Sequence, residues 1–189
     1  LPDVKIEVIG PPPTSGTRDA FAELALQGGC KKFPSIKDMK KADKKAFKKL
    51  CHTVREDGIY IEAGENDNLI VAKLQKNPKA FGVFGYSFLD QNKDKLQGSF
   101  VEGSAPTLEN ITSGKYTISR SLYIYVKNAH VGKIPGINEY ISEFTSERAF
   151  GEDGYLEEKG LIPAPADERA KIRSTAGALS TAWMADLKK

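Results

Sequence analysis

The 189 residues suffice for one large domain or two small ones, and a hydrophobic content of 40% supports a real core. Charged residues make up 28% with the signs nearly balanced at +3, which argues against a nucleic-acid partner held by a broad basic surface. No apolar run approaches the ~20 residues of a membrane span, and Leu1-Pro2-Asp3 reads as mid-chain sequence without a leader, so a mature protein or a piece of one is expected.

In chain order, Val4 to Ile9 alternates apolar and charged residues as a strand does, and Gly10-Pro11-Pro12-Pro13 ends it, since proline cannot continue a ladder. A helix is expected from about Thr17 to Gln27, with Phe21, Leu24 and Ala25 inward and Gly28-Gly29 closing it. A second runs from about Ile36 to Leu50, with Ile36, Met39, Ala46, Phe47 and Leu50 on one face and lysines on the other. Ile59-Tyr60-Ile61 reads as a strand, and Asn66-Asp67-Asn68 caps a helix to about Lys76 that Asn77-Pro78 breaks. Phe81 to Tyr86 reads as a buried strand and Leu122 to Val126 as the last clear one. Helices punctuated by Pro135, Gly136, Gly154 and Gly160 follow, the final one from about Asp167 with Trp183 as a core anchor. Alternating strand and helix predicts an α/β fold, a mixed sheet flanked by helices.

Cys30 and Cys51 enclose the 20 residues Lys31 to Leu50. Two free thiols and an oxidised staple fit the composition equally, and the staple would be worth ~3 kcal/mol. No histidine or second cysteine pair stands at metal-ligand spacing, so a zinc site is rejected and no cofactor is expected. The nine lysines between Lys31 and Lys49 read first as the solvated face of an amphipathic helix, with anion steering or contact with acidic lipid head groups as the functional alternatives. His52 and His130 have no acid or nucleophile beside them in a recognisable arrangement and read as non-catalytic.

The informative stretch is Thr14-Ser15-Gly16-Thr17-Arg18-Asp19-Ala20-Phe21, between a strand and a helix. A helix start leaves its first N–H groups unpaired and carries about half a positive charge, so it binds oxyanions. Gly16 permits close approach to the backbone, Ser15 and Thr17 add hydroxyls, and Arg18 adds a planar fork of donors. On spacing alone, an ordinary N-cap is the commoner use of such a pattern.

Ser15-Gly16-Thr17 at the head of a helix resembles the oxyanion signature of phosphate-binding proteins from ABC phosphate importers. Gly64-Glu65-Asn66-Asp67-Asn68, followed by Pro78-Lys79-Ala80-Phe81-Gly82-Val83-Phe84-Gly85-Tyr86, is similar to that family's helix and PGAIGY strand. Ala105-Pro106-Thr107, the stretch Asn110 to Tyr116, and Gly154 to Pro163 continue the likeness in order. The resemblance implies a type II periplasmic-binding fold, with two α/β lobes closing on inorganic phosphate and delivering it, without chemistry, to ABC transporter membrane subunits. It implies phosphate ligation by Ser15, Gly16, Thr17 and Arg18, with Thr14, Arg55, Asn66 and Asp67 as outer candidates. Pro11 stands where many family members carry an arginine, so the guanidinium role goes to Arg18.

Residues 1–118 are then expected to form the second, anion-binding lobe, and 119–189 to return toward a first lobe whose opening part does not precede them here. An extracytoplasmic, periplasmic setting favours a Cys30–Cys51 disulfide. A monomer is expected at full length, and edge pairing near Leu122 to Val126 in this chain alone. The rivals are a receptor-fold adhesion or sensing module and a receptor for another oxyanion such as sulfate. An enzyme using Ser15 or Thr17 as nucleophile is rejected for want of a general base or metal cluster.

Overall fold

The structure is a computed structural model, and it describes residues 3–179, so Trp183 lies outside the described residues. Two compact units divide the chain, Leu1–Arg120 and Ser121–Lys189.

The first unit is organised by a three-stranded sheet of order β2-β1-β3, formed by β1 (Val8–Gly10), β2 (Tyr60–Glu62) and β3 (Phe81–Gly82). The α/β class holds, but where a mixed sheet is expected the described strands all run parallel, Ile9 facing Ile61 on one side and Gly82 on the other. β1 is shorter than the alternation from Val4 suggests, because its partners are only three and two residues long. β3 also stops early. Val83 still donates its N–H to Ile9 O at 2.9 Å, but Gly85 N–H turns to the Asp67 carboxylate at 3.2 Å, and Tyr86 opens a helix instead of closing a buried strand. Leu122 to Val126 lies in no strand of the described chain, so the edge pairing expected there is left without its edge.

The helix after β1 is continuous from Gly16 to Cys30 in three pieces: α1 (Gly16–Ala20), a π-helical turn (Phe21–Leu26) and α2 (Gln27–Cys30). It therefore runs through Gly28-Gly29, which were expected to end it. The Cys30–Cys51 disulfide clamps its last residue. Instead of one helix from Ile36 to Leu50 there are two, α3 (Pro34–Ala42) and α4 (Lys44–His52). Asp43 divides them by leaving helical geometry and accepting hydrogen bonds from the amides of Lys45 and Ala46 at 3.0 and 2.9 Å. α4 buries Phe47 and Cys51, whereas Leu50, expected inward, is 53% exposed. α5 (Asp67–Lys76) packs Ile70 and Leu74 onto Ile9 and Ala63, with Ala80, Phe84 and Leu96 around them. Short helices α6 (Tyr86–Asp90) and α7 (Leu108–Thr112) complete this unit.

The second unit holds α8 (Ile137–Phe144), α9 (Glu147–Phe150) and α10 (Ala166–Gly177). Arg169 of α10, only 6% exposed, donates to Glu147 at 3.0 Å and to Ala164 O at 2.6 Å, and Arg173 donates to Thr145 O at 3.0 Å. The buried Arg169 guanidinium, met by carboxylate and carbonyl acceptors, thus ties α10 to α9, and the more exposed Arg173 ties it to the end of α8.

The disulfide closes a loop of 21 residues' separation between two helices. Reducing it, or introducing Cys30→Ala, should lower the free energy of unfolding by ~3 kcal/mol. Urea melts with and without reductant measure this, and coincident midpoints would show that the staple contributes nothing.

Candidate functional site

The three parallel strands end together at Gly10, Glu62 and Gly82, and the loops that follow them leave from one edge of the sheet. In open parallel sheets this carboxyl edge is where ligands bind.

At this edge Pro11 is fully buried, and its carbonyl accepts two donors, the Tyr60 hydroxyl at 2.9 Å and Arg18 Nη1 at 3.2 Å. Arg18 lies over the Tyr60 ring, 4.1 Å from the centroid, and 3.8 Å from a Glu62 oxygen. Its side chain is 14% exposed, so the guanidinium is held in one place by an aromatic face, a carbonyl and a carboxylate. Burial raises the Tyr60 phenol above its usual range against the opposing effect of Arg18, and so it remains a protonated donor. Gly10 makes the arrangement fit, since a Cβ there would stand 2.1 Å from the Tyr60 oxygen.

Ser15 caps α1. Its Oγ accepts the Thr17 N–H at 3.2 Å, its own N–H donates to Pro12 O at 3.0 Å, and its carbonyl receives the Asp19 N–H at 3.2 Å. The ordinary N-cap is therefore present. Beside it, the amides of Gly16 and Arg18 make no hydrogen bond among the described residues. Those are the donors that a helix start leaves for water or an anion.

Arg120 is the residue that sequence reasoning missed. Its Nη2 donates to Gly16 O at 2.9 Å, across 104 positions of chain. A Cβ on Gly16 would come within 3.3 Å of that nitrogen. Two guanidiniums thus stand at α1, Arg18 on its own first turn and Arg120 from the end of the same unit. Nothing in local spacing marks Arg120; only the fold brings it here.

The outer candidates divide. Thr14 donates its hydroxyl to the Glu65 carboxylate. Asn66 is a plain N-cap, its side chain accepting the Asn68 N–H at 3.0 Å. Asp67 accepts from Gly85 N–H at 3.2 Å, which sets a carboxylate rather than a donor there. Arg55 is exposed and doubly bonded to Asp57, and no contact brings it to Ser15, Gly16, Thr17 or Arg18. His52 Nε2 stands 3.1 Å from Gln27 Oε1 as a helix-to-helix contact. Among the described residues no group of three or more His, Cys, Asp or Glu is placed to hold a metal ion. None of the described helices is long and apolar enough to cross a membrane.

The family model described as a PBP superfamily domain matches residues 1–148. The chain belongs to the PBP superfamily. Among curated relatives of this PBP-superfamily chain, the phosphate-binding protein PstS of Staphylococcus epidermidis is 30% identical over 169 residues, covering 87% of this chain and 42% of the relative. The PstS of Staphylococcus saprophyticus is 28% identical over 178 residues, 92% of this chain and 46% of the relative. The chain thus spans less than half the length of these relatives. The crystal structure of PstS from Borrelia burgdorferi superposes with a TM-score of 0.52 at 26% identity, covering 87% of this chain and 55% of that one. These matches bear out the family resemblance and the α/β lobe.

Asp67 yields a pH test. Burial raises its carboxyl above the ordinary value, more than the Gly85 N–H lowers it. A raised folded-state pKa means that the folded form binds the proton more readily than the unfolded one. This contribution to stability is fully present below the ordinary value and lost as pH rises through the raised one. Relative to Asp67→Asn, the unaltered protein should gain stability as pH falls through that window. Parallel chemical-denaturation curves for the two would remove the basis for this assignment.

Proposed function

We propose that this chain supplies the oxyanion-gripping half of an extracytoplasmic receptor that binds inorganic phosphate reversibly. The observation that carries this is the pair of unbonded amides of Gly16 and Arg18 on a Ser15-capped helix, with two guanidiniums alongside. Such a start offers point donors and positive potential to a tetrahedral oxyanion. Ser15 and Thr17 supply hydroxyls, Gly16 the open approach, and Arg18 the fixed charge; Arg120 joins them. Relatives bearing the name phosphate-binding protein support phosphate as the anion.

In this reading residues 1–118 are the anion-binding lobe and 119–189 return toward a first lobe. The periplasmic or cell-surface protein, monomeric at full length, hands its ligand to the membrane subunits of an ABC transporter. No bond in the ligand is made or broken.

Arg18→Ala in the full-length protein should weaken phosphate binding by a factor of ten or more, since a charge-assisted contact is worth ~1.5–3 kcal/mol. Arg55→Ala, paired with Asp57 far from these donors in the bonding pattern, should cost much less. Calorimetry ranking them in the reverse order would move the guanidinium role.

The 189-residue chain on its own should bind phosphate only in the millimolar range, about 4 kcal/mol, because half of the anion stays in water. Amide shifts in an NMR titration should centre on Ser15 to Asp19. Shifts centred elsewhere would show that this helix start is not the site.

A further inference from the structure

Residues 31–49 hold nine lysines and two aspartates, a local charge of +7 within a chain whose net is +3. The remainder is therefore at −4. The near-neutral total conceals a segregation of charge, and segregated charge of this size is a partner signal rather than a solubility device.

The structure sharpens this beyond a solvated helix face. All nine lysines are exposed, on α3, α4 and the turn before them. Among the described residues only Lys32 pairs with a carboxylate, Glu102 at 2.5 Å. Lys40 sits near the Phe47 ring at 5.9 Å. Lys40, Lys41 and Lys49 close their helices, where the dipole accepts cations, but several others work against the helices that carry them. Lys37 with Lys41, Lys44 with Lys48, and Lys45 with Lys49 are like charges four apart, which destabilise a helix. Lys44 and Lys45 occupy the first turn of α4, where the helix dipole disfavours cations. The disulfide from α2 to Cys51 of α4 holds the array to the fold regardless.

We propose that the α3–α4 hairpin is a docking surface for a bilayer carrying anionic head groups. Charge complementarity selects a polyanion, and two features select lipid among polyanions. The segment has no arginine, the residue favoured where a fixed protein or nucleic-acid surface is read by bidentate contacts. Lysines are mobile point charges suited to a laterally fluid layer of phosphates. Phe33 and Leu50, 61% and 53% exposed, add apolar contact at the edge of the same array. The proposal stands apart from the phosphate site.

The test is co-sedimentation of the whole chain with vesicles of mixed phosphatidylglycerol and phosphatidylcholine against vesicles of phosphatidylcholine alone. Binding is expected only to the first, and it should fall as salt shortens the screening length. Each lysine at the surface should be worth about five-fold, so changing Lys40, Lys41, Lys44 and Lys45 together to Gln should lower partitioning by roughly two to three powers of ten. Circular dichroism melts check that this exposed variant keeps the fold, and the salt series on the unaltered chain tests the same electrostatic contact without mutation. Equal partitioning to both vesicles, absence of binding to the anionic ones at low salt, or retention by polyglutamate but not by vesicles would each overturn the proposal.

Discussion

The carbonyl of Pro11 is the point on which the candidate site rests. It lies where β1 leaves the sheet, buried, and a proline run offers no N–H groups with which to satisfy its surroundings. Two donors arrive from elsewhere, the Tyr60 hydroxyl from the neighbouring strand and the Arg18 guanidinium from the following helix. A buried acceptor left empty costs about 1–3 kcal/mol, so strand exit, neighbouring strand and helix start are coupled through one oxygen. The same coupling sets the orientation of α1 and hence of its open amides. Gly10 is the steric condition for it, because any side chain there meets the Tyr60 ring.

The resemblance puts an arginine where this chain has Pro11, and here a guanidinium reaches that position from the following helix. Arg18 folds back from the first helical turn, crosses the Tyr60 ring and reaches the Pro11 carbonyl. Glu62, at the end of β2, balances the charge without touching it closely, at 3.8 Å. A half-compensated, largely buried cation keeps its field while losing its freedom, which is the condition for a preorganised anion contact.

Much of the fold was legible because it follows from local rules. The strand before the prolines, the Ser15 cap, the Asn66 cap and the helix to Lys76 are each set by residues within a few positions. Two of the departures coincide with contacts distant in sequence. Asp67 draws Gly85 out of a would-be strand, and the disulfide carries a helix through two glycines. Asp43 is the exception, a local cap overlooked inside a lysine-rich period. Within the site, Ser15 to Arg18 could be read because they are contiguous. Arg120 could not, since its link to Gly16 exists only after the chain has doubled back.

The two open amides at the start of α1 have a thermodynamic meaning for the whole unit. A fifteen-residue helical run from Gly16 to Cys30 begins with two amides that no described residue bonds. They converge only when the helix exists, so a solute that engages them binds the folded chain and not the unfolded one. Its concentration then enters the folding equilibrium itself, adding stability with the logarithm of occupancy. The same few atoms that would recognise an anion would report its abundance through the melting temperature of the protein.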